Sequence, residues 1–135
     1  MSKKITQIEG IGPAYAKKLE AAGITTVEKL LEEGSSRSGR KRIAKTTGVE
    51  EKKILAWVNM ADLFRIKGIA GQFAELLKAS GVDTVKELRN RNANNLHGKL
   101  TEVNEEKKLT RAIPSLSSVE GFIDQAKGLD AVVTH

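Results

Sequence analysis

Two stretches of this chain, 58 residues apart, share one pattern of apolar residues and glycines. Ile8–Leu30 aligns without gaps on Ile66–Leu88, and 10 of the 23 aligned positions are identical. The identical positions are apolar residues, glycines and one threonine, whereas the charged positions differ. Because apolar and glycine positions determine packing and turns, the repetition predicts two structural units of one kind. We expect them at residues 1–65 and 66–135, packed into one compact body.

Turn and capping signals predict that both units consist of short helices. Pro13 suits the first turn of a helix, and Gly23 suits the end of one, which predicts a helix over 13–22. Threonine or serine caps and apolar residues at helical spacing predict further helices over 27–34, 49–64, 94–100, 104–112 and 116–126, and one after Thr84. No segment alternates apolar and polar residues convincingly, so we expect an all-α fold, with a frayed tail after Gly128.

A glycine turn stands directly before the first predicted helix. Glycines let a backbone pass close to a phosphate, and the free amides at the start of a helix favour an anion there. Lys17 and Lys18 follow one turn later and add positive charge. The stretch from Ile8 to Leu31 resembles a helix-hairpin-helix motif, with which many DNA repair and recombination proteins bind DNA without sequence preference. The resemblance implies phosphate contacts at Gly10, Ile11, Gly12, Ala14, Lys17 and Lys18.

The second copy of the turn departs from that pattern. Gly68 and Ile69 match the motif, but Ala70 replaces its second glycine and Gly71 replaces its proline. Glu75 stands at the position of Lys17. We therefore expect the first turn to bind DNA and the second, at Gly68, Ile69 and Gly71, to bind weakly or only to pack.

The excess of positive charge in the first half of the chain, with its basic run, favours polyanions as partners. The sequence has 23 Lys and Arg against 17 Asp and Glu, and residues 1–65 hold 13 against 8. Five cations lie within nine residues between Arg37 and Lys45, and the serines and Gly39 there indicate a loop that enters a helix. The run is either a solvated segment or a phosphate patch. In the second case we expect phosphate contacts from Arg40, Lys41, Arg42 and Lys45.

Taken whole, the chain also resembles a prokaryotic family of uncharacterised proteins with two such hairpins. The stretches 55–68 and 95–109 are typical of it. This resemblance implies a fold, since the function of that family is not established.

Several other classes of function find no support in the residues. The chain has no cysteine, and His97 and His135 are its only imidazoles, so we expect no metal site and no cofactor. Tyr15, Trp57 and Phe73 fall on apolar helical faces, where core packing is the expected role. No leader or long apolar run is present, which favours a cytoplasmic protein without a membrane contact.

Enzymatic readings also find little support. Glycosylases that carry this hairpin need an aspartate shortly after it, and none follows here before Asp62. A lyase would need Lys17 or Lys18 as an amine nucleophile with a lowered pKa, which depends on burial. We expect sequence-independent DNA binding without catalysis. The alternative is a helical protein–protein interaction or scaffold module that binds no nucleic acid.

Overall fold

The structure is a computed structural model that describes residues 3–135. Met1 and Ser2, which begin the first predicted unit, lie outside the described residues. A 3-10 helix at Ile5–Gln7 is followed by α1 Pro13–Ala21, α2 Val27–Gly34, α3 Arg37–Thr47, α4 Glu51–Leu63, α5 Gly71–Ala79, α6 Val85–Arg89, α7 Ala93–Lys107 and α8 Leu116–Lys127. No strand occurs within residues 3–135, where extended pairing is limited to one bridge between Lys4 and Thr26. The prediction of an all-α fold is confirmed.

The chain divides into two compact units. The first extends to Asp62 and also contains Val132–His135, while the second is Leu63–Ala131. That each unit is a helix-hairpin-helix unit stays a prediction.

In the first unit, capped helices enclose an apolar core. The Thr26 side chain accepts a hydrogen bond from the Lys29 amide at 3.0 Å and so caps α2. The amide of Val27 donates to the carbonyl of Lys3, which fixes the chain before the 3-10 helix against the start of α2. The core residues of this unit include Ile5, Ile8, Ile11, Leu19, Ile24, Leu30, Ile43, Ile54 and Trp57.

The second unit forms by the same kinds of local signal. Thr84 caps α6 through the Glu87 amide, and Ser115 caps α8 through the Ser118 amide. Helices α6 and α7 pack on α8, and α5 packs on α7. The core residues of this unit include Ile66, Ile69, Leu76, Leu77, Leu88, Leu96, Leu100 and Phe122.

The basic run does not enter its helix through a loop, as the sequence had suggested. Helix α3 already begins at Arg37, and Ser36 caps it by accepting a hydrogen bond from the Gly39 amide at 3.1 Å. A Cβ at Gly39 would overlap the carbonyl oxygen of Glu33. The glycine is therefore a requirement of close packing between α2 and α3, and not a sign of irregular backbone.

Helix α7 corrects a second prediction. The sequence suggested separate helices over 94–100 and 104–112, but one helix covers Ala93–Lys107. Leu96, Leu100 and Val103 are all buried, so they form one continuous apolar stripe on it. Lys108, the C-cap, adopts a left-handed conformation. The chain beyond it is held by the Asn104 side chain, which forms hydrogen bonds with the backbone of Thr110.

The tail beyond Gly128, expected to fray, is instead hydrogen-bonded. The amide of Thr134 donates to the carbonyl of Ser35 at 2.8 Å, and the Thr134 hydroxyl donates to the same oxygen at 3.2 Å. The last four residues, Val132–His135, belong to the first unit.

Candidate nucleic-acid interface

The first glycine turn has a backbone that only a glycine adopts without strain. Gly10 has φ +95°, and a Cβ placed on it would lie 3.3 Å from the indole Nε1 of Trp57. The next amide, of Ile11, donates to the Ile8 carbonyl at 3.1 Å, and both isoleucine side chains are buried. Ile11 thus anchors the turn: its side chain is in the core and its amide is already used within the turn.

The start of α1 leaves several backbone amides available. Gly12 is the N-cap and offers no side chain, and Pro13 begins the helix without an N–H. The first backbone bond of the helix runs from Ala16 to the Gly12 carbonyl at 2.9 Å. Within residues 3–135 the amides of Gly12, Ala14 and Tyr15 have no acceptor. These N–H groups, at the positive end of the helix dipole, are suited to an anion.

Gly12 is unlike Gly10 because the fold does not require a glycine there. Its φ is −86°, which any residue adopts, and a Cβ at Gly12 would meet no atom within 4 Å. The residue is exposed. A side chain at this position would project into open space beside the free amides and would occupy the volume that an approaching anion needs.

Two lysine side chains lie near the ring of Tyr15, which is in the first turn of α1. Lys17 and Lys18 are exposed on α1, and the Lys18 Nζ lies 5.8 Å from the centre of the Tyr15 ring. The Nζ of Lys53, from α4, lies 5.2 Å from the same ring centre. Sequence reasoning missed Lys53, although its position four residues before the buried Trp57 on one helix was a usable signal.

The basic run on α3 separates into side chains with different environments. Lys41 and Lys45 are exposed. Arg42 is also exposed, but it lies 3.7 Å from the Glu33 carboxylate, and it borders a small cleft that Ala22 and Ile24 line just after the end of α1. Arg42 therefore lies near the end of α1, whereas Gly12 precedes its first residue.

Arg40, predicted as a phosphate contact, is a buried structural residue. Its side chain is only 4% exposed. The guanidinium donates to the carbonyls of Gly34 at 2.8 Å and Ser35 at 3.0 Å, and also to that of Thr134. Burial lowers its pKa from the ordinary arginine value, and the neighbouring charge of Arg37 lowers it further. Three of its five N–H groups therefore hold the first unit together instead of lying free on the surface.

The second turn has the same backbone form but is covered. Gly68 has φ +95°, and the Ile69 amide donates to the Ile66 carbonyl at 3.2 Å. A Cβ at Gly68 would lie 2.9 Å from the Phe122 ring of α8. Two hydrogen bonds join Lys67 to Gln125. The Lys67 backbone amide donates to the Gln125 Oε1, and the Gln125 Nε2 donates to the Lys67 carbonyl. Gly71 begins α5, and Phe122 and Gln125 of α8 contact the turn that precedes it.

Aromatic side chains contribute to packing in these units. Trp57 is buried, and Tyr15 and Phe73 are half-buried. No cluster of three or more His, Asp or Glu suited to a metal ion is found in the part of the chain that the structure describes. None of the helices described is both long and apolar enough to cross a membrane.

Fold and site define an all-helical protein in which two glycine turns each precede a short helix, one turn open and lysine-rich, the other covered. The chain belongs to the family described as Domain of unknown function (DUF4332), which matches residues 9–129. The expected membership of an uncharacterised family is thereby confirmed. Neither a curated protein nor a solved structure matches the chain.

Proposed function

We propose that this protein binds DNA without sequence preference, through the turn at Gly10–Ala14 of a helix-hairpin-helix unit. The free amides of Gly12 and Ala14 donate to one phosphate. Lys17, Lys18 and Lys53 neutralise the same or the neighbouring phosphates, and Lys41 and Lys45 add to the positive field of the unit. Such contacts determine affinity and salt dependence but do not read bases. The proposal includes no catalytic step.

The observation that carries the proposal is the open position of Gly12. The backbone torsion and the packing around Gly10 explain why that residue is glycine, whereas neither explains Gly12. A glycine at an exposed N-cap allows a ligand to approach the backbone closely. The neighbouring unpaired amides and the lysines indicate that this ligand is an anion.

The two turns support an asymmetric role. The backbone hydrogen bonds of the first, from Ile11 to Ile8, recur in the second from Ile69 to Ile66, which supports two repeated units. In the second unit Gln125 and Phe122 cover the turn, and Glu75 replaces a lysine. We propose that the first turn binds phosphate and that the second packs against its own unit.

A protein-docking role has less support from the surface. Among the described residues the only large hydrophobic side chain classed as exposed is Val132, at 38%. An apolar docking face needs several such side chains together.

Fluorescence anisotropy with random-sequence duplex DNA tests the proposal. With about four phosphates neutralised, the affinity of the wild type should fall roughly 100-fold between about 50 mM and about 200 mM salt. Gly12→Val should lower the affinity about tenfold or more, the equivalent of one lost charge-assisted hydrogen bond.

Ala70→Val is the matched control, since it places the same side chain at the N-cap of α5. It should leave DNA affinity within about twofold, a difference of roughly 0.4 kcal/mol. Equal affinity of Gly12→Val and wild type, with unchanged helix content, would show that the turn does not contact DNA. An absence of binding at low salt would overturn DNA binding itself.

A further inference from the structure

A second basic site lies in the first unit, in a pocket of about 350 Å³ that the hairpin does not border. It is open to solvent at the N-terminal ends of α3 and α4. Its lining residues are Arg37, Arg40, Glu51, Lys52, Leu55 and His135.

Arg40 gives this pocket a rigid, charged floor. Three carbonyls of the same unit hold its guanidinium, so its position is fixed before any ligand arrives. Those bonds use three of the five N–H groups of an arginine, which leaves two donors. The Glu51 carboxylate, which also lines the pocket, interacts electrostatically with this buried guanidinium.

The charges around the pocket are unfavourable for the helices that carry them. Arg37 is the first residue of α3, whose first turn contains no acid, and cations at this end of a helix oppose its dipole. Within residues 3–135 neither Arg37, Arg40 nor Lys52 forms an ion pair. Glu51 is the single carboxylate side chain of the lining. A bound anion would relieve this repulsion, and local conflicts of this kind are expected at functional sites.

We propose that this pocket binds the phosphate group of a small molecule. Arg37 and Lys52 contact the phosphate oxygens from the rim, and Arg40 supplies fixed charge beneath them. Arginine suits this role because its planar fork matches the geometry of phosphate oxygens. The volume is within the range of small-molecule sites and exceeds what a single phosphate fills, so an organic group or a second phosphate has room beside Leu55.

Inorganic pyrophosphate is the probe that tests this site. Saturating pyrophosphate should raise the Tm of the wild type above its value in sodium chloride of equal ionic strength, because a ligand of the native state stabilises it. The backbone amide NMR signals of Arg37, Glu51 and Lys52 should shift on titration. Arg37→Gln and Lys52→Gln should each weaken pyrophosphate binding about tenfold, the effect of one charge-assisted hydrogen bond.

Arg42→Gln is the matched control, because it removes the same charge from the same helix outside the pocket. Its pyrophosphate affinity should stay within about twofold of wild type, a difference of roughly 0.4 kcal/mol. An equal loss in Arg42→Gln and Arg37→Gln would show a diffuse charge effect and overturn the site. Absence of both the Tm rise and the NMR shifts in the wild type would overturn it too.

The source of the phosphate is tested by competition. Random-sequence duplex DNA added to the Gly12→Val variant, whose hairpin is blocked, should leave bound pyrophosphate in place. Displacement would assign the pocket to phosphates of nucleic acid and overturn the small-molecule proposal. Because the pocket shares no residue with the hairpin, each of the two proposals can be overturned while the other stands.

Discussion

The rings of Tyr15 and Trp57 meet edge to face, with their centres 5.0 Å apart and their planes inclined at 65°. Tyr15 belongs to the first turn of α1, and Trp57 is buried on α4. This contact brings α4 against the first turn of α1, and the Lys53 Nζ lies 5.2 Å from the centre of the Tyr15 ring. The proposed interface therefore includes a residue that lies 41 positions beyond Gly12 and 43 beyond Gly10 in the chain.

Lys53 should behave as a phosphate contact. Lys53→Gln is expected to reduce the slope of log affinity against log salt by about 0.9 for duplex DNA, the contribution of one neutralised phosphate. Lys99→Gln, the same change on the exposed surface of α7, should leave the slope unchanged. Anisotropy titrations at several salt concentrations measure both. Equal slopes for Lys53→Gln and wild type would place Lys53 outside the interface.

Arg40 should matter for stability far more than its exposed neighbour does. Arg40→Leu removes three hydrogen bonds from carbonyl acceptors, and we expect the free energy of unfolding to fall by about 2–4 kcal/mol. Arg42→Leu breaks an exposed ion pair and should cost less than about 1 kcal/mol. Urea unfolding followed by circular dichroism measures the difference. A similar cost for both variants would contradict the structural role of Arg40.

Gly39 should tolerate no side chain. Gly39→Ala forces a methyl group onto the Glu33 carbonyl, and we expect a loss of about 1–3 kcal/mol in unfolding free energy. Gly98→Ala, in the interior of α7 where a Cβ meets nothing within 4 Å, should instead stabilise by about 0.5–1 kcal/mol. Thermal and urea unfolding of the two variants compare a crowded with an open helical glycine. Stabilisation by Gly39→Ala would show that α2 and α3 do not pack as described.

The two turns should respond differently to alanine. Gly68→Ala combines a left-handed backbone with a contact on Phe122, for an expected cost of about 2 kcal/mol or more. Gly12→Ala places the methyl group in open space at a helix N-cap and should cost less than about 1 kcal/mol. The urea midpoints of the two variants measure these costs. A larger loss of stability in Gly12→Ala than in Gly68→Ala would contradict the prediction.

Local signals in the sequence predicted much of the helical structure. Pro13 and Gly23 delimit α1 to within one residue, and Thr26, Thr84 and Ser115 cap the helices that follow them. These signals act over one turn of chain, so a single sequence reveals them. The failures have another origin: Gly39 looked like a loop residue because its packing against Glu33 depends on a neighbouring helix.

The candidate site was predictable where it is continuous in sequence. Gly12, Lys17 and Lys18 lie within one short stretch, whereas Lys53 approaches them only through the packing of Trp57 under Tyr15. Arg40 was predicted as a phosphate contact because a sequence does not show which cation of a basic run is buried and bonded to carbonyls. Its carbonyl partner on Thr134 lies 94 residues further along the chain.

That separation in the chain has a consequence for biosynthesis. A ribosome makes Arg40 long before it makes Thr134, so the guanidinium meets only the carbonyls of Gly34 and Ser35 while the next helices are translated. The first unit acquires its final hydrogen bonds after every residue of the second has been synthesised. A nascent chain halted anywhere in 63–131 would hold the first unit in an incomplete form, with the wall of the basic pocket that His135 supplies still missing.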